Sequence, residues 1–161
     1  MNRVKELLNK SIFLPLLTFC FLGVSIGQFI THNVIFCSHV VGSSMYPTYV
    51  DGEKVFVYKL KSPERDDIII VNEGEKYVIK RCVGMPGDTI QILDGIVYID
   101  GKEYEEPYIK DGNLCYSSGI AVNPIHLSED EYFILGDNRE ISRDSRLIGA
   151  ITEDMIVGVV V

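Results

Sequence analysis

Residues 11–50 contain no Asp, Glu, Lys or Arg, and this uncharged run limits what the chain can fold into more than any other feature. From Ile12 to about Ile30 it is apolar and long enough to cross a bilayer core of about 30 Å as a helix. A transmembrane anchor is therefore expected over 11–36. Arg3, Lys5 and Lys10 precede the run and the next cation is Lys54, so the charge asymmetry predicts residues 1–10 in the cytoplasm and the rest of the chain beyond the membrane. Pro15 falls near the first turn of that helix, where its missing N–H costs least. A cleaved signal peptide has the same charged start and apolar middle, and cutting near Ser25 or Gly27 would release a soluble protein, but the tract is longer than such a segment needs. Gly23 and Gly27 have a helix-pairing spacing that arises readily by chance.

After the anchor the pattern changes to short β-rich runs. Residues 55–58, 68–71, 77–83, 89–93, 96–99, 131–135 and 156–161 read as strands. Asp51-Gly52, Pro86-Gly87, Asp94-Gly95 and Asp100-Gly101 supply turns, and Asp94-Gly95 sits between two strands like a tight hairpin. No long amphipathic helix competes, so 37–161 is expected to form one mostly β, antiparallel domain. Residues 110–128, with Gly112, Ser117, Ser118, Gly119 and Pro124, read as a loop or small insertion. A chain of 161 residues can bury a core without disulfides. The net charge of −8 argues against a nucleic-acid partner, which would need clustered cations. Cys20, Cys37, Cys82 and Cys115 have no metal-ligand spacing, and neither a metal nor another cofactor is expected. Outside the membrane only Cys82 and Cys115 could pair. Free thiols are the favoured reading, with Cys82 a small packing residue.

Chemistry concentrates in three segments: Gly42-Ser43-Ser44-Met45-Tyr46-Pro47-Thr48, the stretch Tyr77 to Asp88 around Lys80, and Gly136-Asp137-Asn138-Arg139-Glu140-Ile141-Ser142-Arg143-Asp144-Ser145-Arg146. A serine hydroxyl is a poor nucleophile at neutral pH and needs a base, and an uncharged amine can serve. Burial lowers a lysine's pKa from about 10.4 by disfavouring the ammonium. Tyr77, Val78, Ile79 and Val83 provide such surroundings for Lys80. In this order the segments resemble the signature of type I signal peptidases, membrane serine proteases that remove signal peptides. The likeness also covers Gly87-Asp88-Thr89-Ile90, Val97 to Gly101 and Glu106-Pro107-Tyr108. It implies Ser44 as nucleophile, Lys80 as general base, and Ser142 as a hydroxyl holding the lysine amine. Asp144 and Arg146 match the family's buttressing charged pair, and Asp137, Asn138 and Arg139 its supporting turn. The resemblance also implies a plasma-membrane location, secretory preproteins as substrates and the family's catalytic fold.

Where many members carry a serine that helps bind the oxyanion, this chain has Gly42, as in the single-anchor Gram-positive type. The backbone N–H of Ser44, with a neighbouring amide, is expected to form the oxyanion hole. Val40, Val41, Met45, Val78 and Ile79 flank the two candidates and are expected to line a shallow pocket for small residues before the cut. Met45 and Tyr46 are also candidates to face the bilayer.

Other classes fit less well. Self-cleaving DNA-damage repressors share a Ser/Lys pair but are cytosolic and carry a DNA-reading domain. A non-enzymatic, membrane-tethered β module that binds exported proteins leaves the three segments unexplained. The endoplasmic-reticulum form of the family has histidine in place of Lys80, and His32, His39 and His126 lie in no triad-like motif. Mitochondrial inner-membrane peptidases keep serine and lysine and stay open as an alternative, although the short start with Glu6 does not resemble a transit peptide.

Overall fold

The structure, a computed structural model, describes residues 15–28, 34–109 and 119–161, in two units, Met1–Phe36 and Cys37–Val161. In the first, residues 15–28 form helix α1, whose side chains are all exposed, Leu16, Phe19, Phe21 and Val24 among them. Among the described residues no helix is long and apolar enough to cross a membrane. Residues 11–14 and 29–33 of the expected anchor lie outside the described residues. Strand β1, Ile35–His39, takes in the last two residues of that expected segment, and its side chains alternate in exposure as those of a strand do.

The second unit is β-rich, as the alternation predicts. One sheet has the order β1, β2 (Lys54–Tyr58), β11 (Ile156–Val160), β3 (Ile68–Asn72), β4 (Tyr77–Gly84), β9 (Glu131–Leu135) and β10 (Ile151–Thr152). The other has the order β7 (Lys102–Glu103), β6 (Ile96–Ile99), β5 (Thr89–Leu93) and β8 (Ile125–His126). Pairing is antiparallel from β2 onward. All seven expected strands form, within one or two residues of their expected ends. The β5–β6 hairpin turns at Asp94 and Gly95, both with positive φ (48° and 87°), the conformation that favours Asp-Gly in a two-residue loop. Residues 119–128, expected as loop, instead contain a short 3-10 helix, Gly119–Val122, and β8, which pairs with β5. Ala121 and Leu127 anchor this segment in the core, a tertiary cause that local composition does not reveal.

Strands β4 and β9 are buried on both faces, and period-two alternation sends their side chains to two cores. Val83, Phe133 and Leu135 join Ile90, Ile92, Val97 and Leu127, while Cys82, Tyr132 and Ile134 join Ile69, Val71, Ile151 and Val159. Cys82 is a free, fully buried thiol, pushed up to about 12 by its burial. Cys115 lies outside the described residues.

Candidate active site

Ser44 sits in the turn-rich segment between β1 and β2. The side chain of the next residue, Met45, is fully buried and plugs this segment into the domain. Val40 N donates to Glu53 O (2.8 Å), Gly52 N to Val40 O (2.8 Å) and Tyr49 N to Met45 O (2.9 Å), closing the segment on itself. The third motif grips it from outside. Asn138 N donates to Ser44 O at 3.0 Å and Asn138 Nδ2 to Ser43 O at 3.1 Å.

Lys80 enters from β4, opposite Ile69 of β3, and is only 4% exposed. Its Nζ lies 2.9 Å from Ser44 Oγ and 2.8 Å from Ile79 O. Burial pushes the lysine pKa below its ordinary 10.5, because the ammonium loses hydration that the neutral amine hardly needs. Asp144, Glu73 and Asp137 pull it back up through their charge, and Lys76 opposes them. The amine forms no ion pair among the described residues. The next residue, Arg81, does: Nε and a terminal nitrogen meet both oxygens of Asp137 at 2.8 and 2.5 Å.

A cavity of about 520 Å³ opens beside the pair, walled by Ser38, His39, Val40, Val41, Ser44, Val55, Ile70 and residues 76–80. Four of the five expected pocket residues, Val40, Val41, Val78 and Ile79, line it. Met45 does not: its fully buried side chain points into the interior, which also removes it as a bilayer contact. Tyr46 is half exposed. His39 lines the cavity without a hydrogen bond to Ser44 among the described residues.

The supporting motif closes around the same turn. Asp144 accepts Gly136 N at 3.0 Å and two guanidinium nitrogens of Arg146 at 2.8 and 2.9 Å, and it caps helix α2 (Ser145–Ile148) through Arg146 N. Arg146 also donates to Arg139 O at 2.8 Å, and Arg139 Nε to Gly136 O at 3.0 Å. Gly136 admits no side chain, since a Cβ there would lie 2.5 Å from Ser142 Cβ and 2.6 Å from Ser44 O. The expected hydrogen bond between Ser142 and the lysine amine is not formed. Ser142 Oγ is buried beside Gly136 with no hydrogen-bond partner among the described residues. Gly42 N donates to Asp51 Oδ1 at 2.7 Å, so its own amide is engaged.

Six contributors escaped the reading of the sequence. Arg81 and Thr48, both partners of Asp137, lie inside motifs already singled out. Glu106, which binds Arg139, and Tyr108, whose ring carries the Arg81 guanidinium at 3.7 Å, lie in a stretch quoted only for its family likeness. Val55 and Ile70 complete the cavity from strands with no local signal of that role.

Ser44 and Lys80 thus meet beside a cleft of an antiparallel β domain. Residues 12–161 match the family model for signal peptidase, peptidase S26, and the chain belongs to that family. It is a signal-peptide-cleaving serine endopeptidase of the signal peptidase I type, which sets aside the non-enzymatic reading. Signal peptidase I T of Bacillus subtilis is 40% identical over 149 residues, spanning 85% of this chain and 77% of that protein. Signal peptidase IB of Staphylococcus aureus is 36% identical over 139 residues, spanning 74% of this chain and 72% of its own length. The crystal structure of a signal peptidase I from Enterococcus faecalis superposes with a TM-score of 0.52 at 29% identity, covering 63% of this chain and 98% of that one.

Proposed function

We propose that Ser44 is the nucleophile and Lys80 the general base of a membrane-anchored peptidase that removes N-terminal signal peptides from exported preproteins after small residues. The observation that carries this reading is the 2.9 Å separation of Lys80 Nζ from Ser44 Oγ beside a largely apolar cavity. Neutral Lys80 donates one N–H to Ile79 O, which turns its lone pair toward the serine hydroxyl. As Ser44 Oγ bonds to the scissile carbonyl carbon, its proton passes to Nζ. The oxyanion is held by the Ser44 N–H, which is not spent on another hydrogen bond among the described residues. The lysine ammonium then protonates the leaving amine, and water activated by the same amine hydrolyses the acyl-serine ester.

The substrate binds extended along Tyr77–Lys80. That part of β4 pairs with β3 on one side and with no strand on the other among the described residues, which leaves an edge a peptide can join. Val41, Val78 and Ile79 narrow the cavity beside it and favour small side chains. Supporting an anchor are the uncharged run 11–50 and the exposed apolar side chains of α1. Residues 1–10 then lie in the cytoplasm and the β domain outside the plasma membrane.

The test is incubation of the detergent-solubilised protein with a signal-bearing preprotein, with the cut site read by mass spectrometry. Ser44→Ala and Lys80→Ala are each expected to lose cleavage by about a thousandfold or more. Wild-type rates in either variant would overturn the assignment.

A further inference from the structure

We infer that Glu106 and Tyr108 are positioning residues for the reaction, acting as a strap that fixes the Ser44 turn and the base of Lys80 from behind. This inference rests on the Ser44/Lys80 reading above. The strap, residues 104–108, follows β7 of the smaller sheet and crosses to the larger one. Tyr104 fastens its start, donating its hydroxyl to Asp66 Oδ2 at 2.6 Å. Glu106 grips Arg139 with both carboxylate oxygens, its Oε2 accepting one terminal nitrogen at 2.9 Å and its Oε1 the other. The Arg139 and Glu106 side chains are 1% and 11% exposed, so this fork is a buried, charge-assisted contact. Tyr108 lays its ring on the Arg81 guanidinium at 3.7 Å and donates its hydroxyl to Glu106 Oε1 at 3.0 Å, tying the two grips together.

Each gripped arginine leads to Ser44 by a separate route. Through Arg139, whose Nε holds Gly136 O, the strap sets the turn whose Asn138 grips both Ser43 O and Ser44 O. Through Arg81, it sets Asp137, which accepts the hydroxyl of Thr48 in the same turn-rich segment as Ser44. Arg81 is also the residue after Lys80 and donates to the carbonyl of Asp66 at 2.9 Å, the residue whose carboxylate takes the strap's Tyr104 hydroxyl, so the backbone that carries the base is tied to the strap a second time. Among the described residues neither Glu106 nor Tyr108 makes a hydrogen bond with Ser44 or Lys80. Their effect is geometric. Without Glu106 the buried Arg139 guanidinium loses its carboxylate and moves toward solvent, drawing 136–139 and the Ser44 turn with it.

A displacement of about 1 Å at a reacting group can cost about a hundredfold in rate, whereas no strap residue lines the cavity that would receive the substrate. The expected signature is therefore a loss in kcat with KM retained. The experiment measures kcat and KM of the full chain in detergent for Glu106→Gln, Glu106→Asp and Tyr108→Leu, with competent sites counted from the acyl-enzyme formed in a single turnover. Glu106→Gln and Tyr108→Leu are expected to lower kcat per competent site about tenfold to a hundredfold with KM within about twofold, and Glu106→Asp to recover most of the loss. The proposal is overturned by unchanged kcat per competent site in both variants, by a loss confined to the number of competent sites, or by a loss that falls mainly on KM. A Ser44→Ala control separates the two readings. If it stays active the nucleophile assignment falls, and if it is inactive while the strap variants match wild type only the strap falls.

Discussion

The two halves of strand β4 meet opposite fates. From Arg81 to Gly84 it is paired with β9, and its side chains fill two cores or, in Arg81, meet a carboxylate. From Tyr77 to Lys80 the same edge has no strand partner among the described residues, and the cavity runs along it. Lys80 and Arg81, adjacent cations, stand on either side of the change. The arginine is buried with Asp137 and keeps its charge, while the lysine has no paired carboxylate among the described residues and its burial favours the neutral amine. The proposed reaction uses both halves: an unzipped edge to receive a peptide, and a zipped one to hold Ser44 and Lys80 still.

The largest expected effect in breaking that contrast comes from the closed side. Asp137→Asn removes the charge paired with buried Arg81 and should cost about 3–5 kcal/mol of stability, read as a fall in denaturation midpoint. A loss near zero would mean that Tyr108 and the Asp66 carbonyl suffice to hold the guanidinium.

On the open side, Ile79→Ala should widen the cavity and raise cleavage of a substrate with leucine before the cut by about tenfold relative to alanine. Equal rates for the two substrates in the wild-type enzyme would sink the pocket.

Lys80→Met probes the same side through stability. A folded pKa below 10.5 means that the unfolded chain binds more protons over the interval between the two values. Wild-type stability therefore rises with pH through that interval, and below it the cost of burying the amine is present in full. The methionine variant should be more stable than wild type at neutral pH, with the gap narrowing toward pH 10.5, as calorimetry across pH can read. A constant gap would show that burial does not shift the amine. In activity the sign is the same, with cleavage falling as pH drops through the folded pKa.

The smallest change is expected from Gly42→Ser. Its φ of 86° strains any side chain, and its amide already serves Asp51. Cleavage should stay within about tenfold of wild type or fall, and a large rise would mean that the backbone hole is deficient.

Much of this was legible before any coordinates. Strand β5, its Asp94-Gly95 turn and β6 follow from period-two alternation and a turn whose residues tolerate positive φ, both properties of adjacent residues. Ser44 and Lys80 could be singled out because three segments in order resemble a known family; alone, a serine in a turn and a lysine in an apolar strand are more often structural. Strand β8 was not, because it exists through pairing with β5 and through Leu127 in the core. Nor was the inward turn of Met45, which depends on what lies behind the segment.

By itself the sequence determined the antiparallel β character, the uncharged N-terminal run and the serine and lysine that carry the proposed chemistry, since alternation, turn preference and side-chain chemistry are written in neighbouring residues. Only the tertiary structure decided that those two side chains, 36 residues apart, stand 2.9 Å from one another. It also decided that Arg81 and Arg139 are fastened by Glu106 and Tyr108, and that Ser142 stays off the amine. Those outcomes depend on how sheets pack and which edges remain unpaired, and no local pattern encodes them.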